Sequence, residues 1–130
     1  MTSGTLRWFG TRAIGLIAML ASFSTVQAGI TKQCRQQETD GTAFAACIEA
    51  EHNRSTNQLR AANLASQEAV NKQVRETGRK APLQQFRAGQ ARYVRQRAAA
   101  CRKAAEGIER QACEADMNFP RNETLHRIAR

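Results

Sequence analysis

Six side chains in this sequence have types and spacings that could do chemistry: Cys34, Cys47, Cys101, Cys113, His52 and His126. The cysteines fall as two pairs, with twelve residues between the first two and eleven between the last two. There is no CxxC and no CxxCH, so neither a redox-active dithiol nor a haem attachment is encoded. A zinc site would have to combine these thiols with the two histidines, and the spacing matches no common zinc motif. An even number of cysteines in a short chain reads instead as two disulfides, for which three pairings exist. No nucleophile stands beside a base, and no paired carboxylates form a motif. The sequence therefore calls for no catalysis, no cofactor and no metal.

Disulfides require an oxidising compartment, and the N-terminus supplies a route to one. Arg7 and Arg12 precede an apolar run from Ala13 to Phe23, and Val26-Gln27-Ala28 precedes Gly29. This is the order of a cleavable secretory signal over residues 1–28, with small residues at minus three and minus one. An eleven-residue apolar core rises only about 16 Å as a helix, too little to cross a hydrocarbon layer of about 30 Å. The expectation is thus a periplasmic or secreted protein of residues 29–130, with no stable membrane span after processing.

The elements that must position the cysteines are helical, and no strand-like alternation of useful length is present. Asp40-Gly41-Thr42 reads as a helix start. From Thr42 to Thr77, residues such as Ile48, Ser55, Leu59, Ala62, Ser66 and Val70 recur at three- and four-residue steps as a weakly apolar stripe. Gly78 stops this helix and Pro82 suits the first turn of the next, about Leu83 to Glu106. A loop this short predicts that the second helix folds back on the first. Its inward stripe is Leu83, Phe86, Gln90, Tyr93, Arg97 and Cys101; Arg87, Arg92, Arg95, Arg102 and Lys103 form an opposite, cationic face. A third segment, about Glu109 to Phe119, is expected to end at Pro120, and a short helix from Arg121 to Ala129 closes the chain. With Gly107 as the apex of a hairpin, Cys101 faces Cys113, and Arg97 finds a carboxylate partner in Asp116. Cys34 with Cys47 and Cys101 with Cys113 is then the working pairing; Cys47 with Cys113 would require a different helix placement. The fold class expected is a small all-α, disulfide-stapled antiparallel hairpin or bundle of three to four helices.

Gln90, Tyr93, Arg97 and Cys101, at steps of three, four and four, resemble the best-known motif of the lysozyme inhibitor LprI-like family. In that family a glutamine is followed by an aromatic residue, usually Trp, then by an arginine and a cysteine. The similarity extends to Cys34, Cys47, Leu59, Cys113, Arg121 and Leu125, nearly the whole of residues 29–130. The sequence departs from the pattern at His52, Thr56 and Arg60, where the family commonly has an aromatic residue, an Asp and an Asn. The resemblance implies a helical, disulfide-bonded envelope domain that binds lysozyme directly and inhibits it, without active-site residues. On this reading Gln90, Tyr93, Arg97, Arg121 and Leu125 are structural.

Charge suggests a different partner. Removal of residues 1–28 leaves 18 basic and 11 acidic residues, a formal charge of +7, and residues 79 to 105 hold eight basic and no acidic side chains. Many lysozymes are themselves cationic, so the alternative expectation is a protein that binds anionic envelope polymers or membrane headgroups. Nucleic acid would suit the same charge, but export takes the chain away from it.

Overall fold

The computed structural model describes residues 29–130, and the signal-peptide reading of residues 1–28 lies outside them. The described chain is all-α: α1 (Ile30–Gln37), α2 (Gly41–Thr77), α3 (Ala81–Cys101) and α4 (Ile108–Ile128). Cys34 is bonded to Cys47 and Cys101 to Cys113. The first bridge ties α1 to the start of α2, and the second ties the end of α3 to the start of α4.

Local chemistry accounts for the ends of α2. Asp40 caps it, accepting a hydrogen bond from Thr42 N at 3.4 Å. At the other end Gly78 takes a left-handed conformation (φ 68°), which costs glycine nothing, and its amide donates to Val74 O. Pro82 then sits in the first turn of α3, where its missing N–H is harmless.

Three features of the sequence reading are corrected. α3 ends at Cys101 rather than near Glu106, because the reversal into α4, which starts at Ile108, takes more residues than Gly107 alone. Residues 102–107 form that turn, with Gly107 at φ 79°. Pro120 does not end the third helix; α4 runs through it to Ile128. Pro120 and Asp116, the residue whose carbonyl loses its amide partner, are both on the exposed side of α4, so water can take the freed carbonyl. Residues 30–37, too polar for the helical pattern to show, form α1. Its buried residues are only Ile30 and Cys34.

The topology is up, down, up. α3 returns antiparallel to α2, as the short loop requires, but α2 has its more extensive interface with α4. Residue pairs between α2 and α4 rise together, His52 with Glu114, Ser55 with Asn118 and Ser66 with Leu125, so these two helices are parallel. Small residues allow the close approach: Ser55, Ala62, Ser66, Ala112 and Ala115 are all buried, and Ser66 Oγ donates to the main-chain oxygen of Leu125 at 2.8 Å.

The apolar core is split in two. One cluster gathers Leu59, Ala62, Val70, Phe86, Tyr93 and Leu125; the other gathers Ile30 and Cys34 of α1 with Ile48, Ala112 and Ala115. A polar layer lies between them.

Candidate functional site

The polar layer is built from the motif residues. Asn118, fully buried on α4, accepts hydrogen bonds at Oδ1 from the Tyr93 hydroxyl and from Arg97 at 3.1 Å, and its amide donates to Ser55 Oγ at 3.1 Å. Ser55 in turn donates to His52 O at 3.0 Å. One layer along the bundle, Gln90 donates to Asn63 and accepts from Arg121 at 2.6 Å. Both guanidinium groups lie 5.6 Å from the centre of the Tyr93 ring, within cation–π range. Burial raises the pKa of the Tyr93 phenol, against the lowering pull of Arg97 and Arg121, and burial lowers that of Arg121.

Arg97 therefore has a neutral partner, which corrects the pairing with Asp116. Asp116 turns away to α1, where its Oδ1 accepts the Ile30 amide at 2.8 Å. The donors and acceptors of Asn118, Ser55 and Tyr93 satisfy one another. Such a layer fixes the register of three helices, because sliding any one of them strands buried polar groups. Leu125 is fully buried in the apolar cluster beside it. Of the histidines, His52 is half-buried and bonded to Glu114 at 3.0 Å, and His126 is exposed. All four cysteines are consumed by disulfides.

Arg87, Arg92, Arg95, Arg102 and Lys103 are exposed, and among the described residues none has a carboxylate within 4 Å. Arg102 and Lys103 lie in the turn beyond α3 rather than on it. Their surroundings differ from those of Arg87 and Arg92 in a way that only the topology reveals. Because α2 and α4 are parallel, the C-terminal halves of both lie at the same end as the start of α3. A plane just above the Asn118 layer puts residues 59–94 and 119–130 on one side, with ten basic residues against Glu68, Glu76 and Glu123. The other side, residues 29–58 and 95–118, carries eight basic and eight acidic residues. The whole formal charge of +7 on residues 29–130 thus belongs to the half that holds the α2–α3 turn.

Among the described residues, clefts open at both ends of the bundle. One, of about 560 Å³, lies between α1 and the start of α4, where Arg35 covers the Phe44 ring at 5.1 Å. The other, of about 360 Å³, lies in the cationic half and is lined by Val70, Pro82, Phe86, Gly89, Arg121 and Ile128 among others. The sequence reading missed this cleft. Gly89 in the middle of an otherwise strong helix was its one available signal.

No protein-family model, curated protein or solved structure matches the chain. The likeness to the LprI-like pattern rests on the residues named above.

Proposed function

We propose that this chain is an exported, non-catalytic binding protein of the cell envelope that holds an anionic polymer on its basic surface. The observation that carries the reading is the placement of charge: exposed cations without carboxylate partners, and a net charge gathered in one half of the bundle. A field of that form attracts polyanions and orients their approach. Export is supported by the order of residues 1–28 and by two disulfides, which persist in oxidising compartments. Binding rather than chemistry is supported by the polar cluster, whose groups are spent on holding helices together.

The test is a titration with polyphosphate and with polyglutamate at about 10 mM and 150 mM salt, between which the screening length falls from about 30 to 8 Å. Affinity is expected to drop steeply with salt. It should drop again in a variant with Arg87, Arg92, Arg95, Arg102 and Lys103 changed to Gln. Absence of binding at low salt would overturn the reading.

The lysozyme-inhibitor reading has its own support: Gln90, Tyr93, Arg97 and Arg121, the residues that carry the resemblance, are joined in one network. Against a cationic lysozyme the same charges oppose approach, so inhibition should be unchanged by salt or form slightly faster, and should survive the Gln substitutions. A muramidase assay in the presence of excess protein separates the two readings by the direction of these changes.

A further inference from the structure

We infer that the cleft over Arg121 binds a single-chain fatty carboxylate, with the acid on the guanidinium and the hydrocarbon chain along Val70, Pro82, Phe86 and Ile128. The site goes beyond the polymer reading, because it lies between helices and takes a small molecule.

Arg121 supplies the first reason. Its guanidinium donates to Gln90 Oε1 at 2.6 Å and stacks on Tyr93, but no carboxylate lies within 4 Å of it among the described residues. Its Nε is buried with no acceptor. A half-buried cation against an apolar wall is costly unless an anion meets it, and the planar guanidinium fork matches a carboxylate. The surrounding half of the molecule has seven excess positive charges and no carboxylate positioned to serve, so the anion must come from outside.

Gly89 supplies the second. It sits mid-way along α3 without a positive φ, where glycine weakens a helix. No backbone crowds it: a Cβ built there would meet only the Arg121 guanidinium, at 3.7 and 3.9 Å, which is ordinary contact. Its effect is to leave open space directly over the cation. The third is the wall itself, in which Val70, Pro82, Phe86 and Ile128, the last 38% exposed, outnumber the polar Gln73 and Gln85. At about 360 Å³ the cleft is at the small end of the range of about 300–1,000 Å³ for ligand sites, which favours one chain over two.

The probes are decanoate, butanoate (the same charge with little tail) and 1-decanol (the same tail with no charge), each below its aggregation concentration, titrated calorimetrically into the oxidised protein. Decanoate is expected to bind, with butanoate and decanol each weaker by about tenfold or more, as loss of a charge-assisted bond or of chain burial dictates. Arg121→Gln should cost decanoate about tenfold and leave decanol unchanged. Gly89→Leu, which fills the opening and improves helix propensity, should abolish binding of both while circular dichroism stays native. It removes no charge, so polyphosphate binding should persist in it, which separates failure of this site from failure of the polymer reading. Butanoate binding as tightly as decanoate, or decanoate binding undiminished in Gly89→Leu, would overturn the assignment.

Discussion

Arg97 donates to Asn118 at 3.1 Å and not to a carboxylate, so this polar layer is organised by an amide and not by an ion pair. An amide can donate and accept at once. Asn118 uses both capacities, towards Ser55 on α2 and towards Tyr93 and Arg97 on α3. Asn118→Ala would leave the Tyr93 hydroxyl and Ser55 short of partners and open a cavity, at an expected cost of about 3 kcal/mol. Arg97 is half-exposed with a neutral partner, so Arg97→Ala should cost only about 1 kcal/mol and Arg95→Ala, on the solvated face, within about 0.5 kcal/mol. Urea unfolding followed by circular dichroism measures all three. A loss from Arg97→Ala exceeding that from Asn118→Ala would mean that the arginine organises the layer.

Tyr93 gives the layer a pH dependence. Its phenol titrates higher in the folded chain than in the unfolded one because burial disfavours the phenolate. A raised folded value means that the contribution is fully present below the unfolded pKa of about 10 and is lost as pH rises through the folded value. Tyr93 is the only tyrosine in the chain, so the ultraviolet absorbance change on ionisation reports this group alone. The expected result is a phenolate transition later than that of the urea-unfolded chain, together with alkaline destabilisation that Tyr93→Phe removes. A transition at the unfolded pKa would show that the hydroxyl is solvated.

Much of this arrangement was legible in the sequence. The α2 stripe, the Gly78 stop and the inward line Phe86, Tyr93, Arg97, Cys101 follow from helical periodicity and from the conformations glycine and proline prefer, which are local effects. What escaped depends on distant contacts. α1 has too few apolar residues to announce itself, and it is fixed from outside by Cys47 and Asp116. Pro120 reads as a stop because local rules cannot see that it and Asp116 lie on the exposed side of α4. The cationic half is invisible until α4 is known to run parallel to α2, since Arg127 and Arg79 are 48 residues apart in the chain and come to the same end only through that topology. The cleft over Arg121 was hidden for the same reason.

Gly29 and Asp116 make a testable pair at the other end of the bundle. A Cβ at residue 29 would fall 2.8 Å from Asp116 Oδ2, so Gly29 lies directly against that carboxylate. Processing between Ala28 and Gly29 would place a free α-ammonium there, adding an ion pair to the existing Ile30 hydrogen bond. An exposed or partly exposed pair contributes about 0.5–1 kcal/mol. Protein beginning at Gly29 should therefore be more stable by about that much than protein carrying a few extra N-terminal residues, and Asp116→Asn should erase the difference. Chemical denaturation of the four proteins forms the cycle. Equal stability of both N-termini in the unsubstituted protein would mean that the amine does not reach Asp116.

The two halves of the bundle allow the polymer reading to be tested at constant net charge. Changing Arg79, Lys80, Arg87 and Arg92 to Gln removes four positive charges from the half that holds the excess. Changing Arg95, Arg102, Lys103 and Arg110 removes four from the half where acidic residues balance basic ones. All eight side chains are exposed, so neither set disturbs a buried contact. If binding depended only on overall charge, the two variants would bind polyphosphate equally, because both drop from +7 to +3. If it depends on local potential, the first variant loses most of the attractive field, whereas the second keeps it intact and merely turns the opposite half net negative. Within a screening length of about 8 Å at 0.15 M salt, a polymer lying on one half is affected little by charges on the other. The expected outcome at that salt is a loss of tenfold or more in the first variant and about threefold or less in the second, a gap on the order of 1 kcal/mol. At low salt the gap should narrow as the field of the whole molecule becomes visible to the ligand. The same ranking reversed would place the polymer along Arg95, Arg102 and Lys103, away from the cationic half and its cleft.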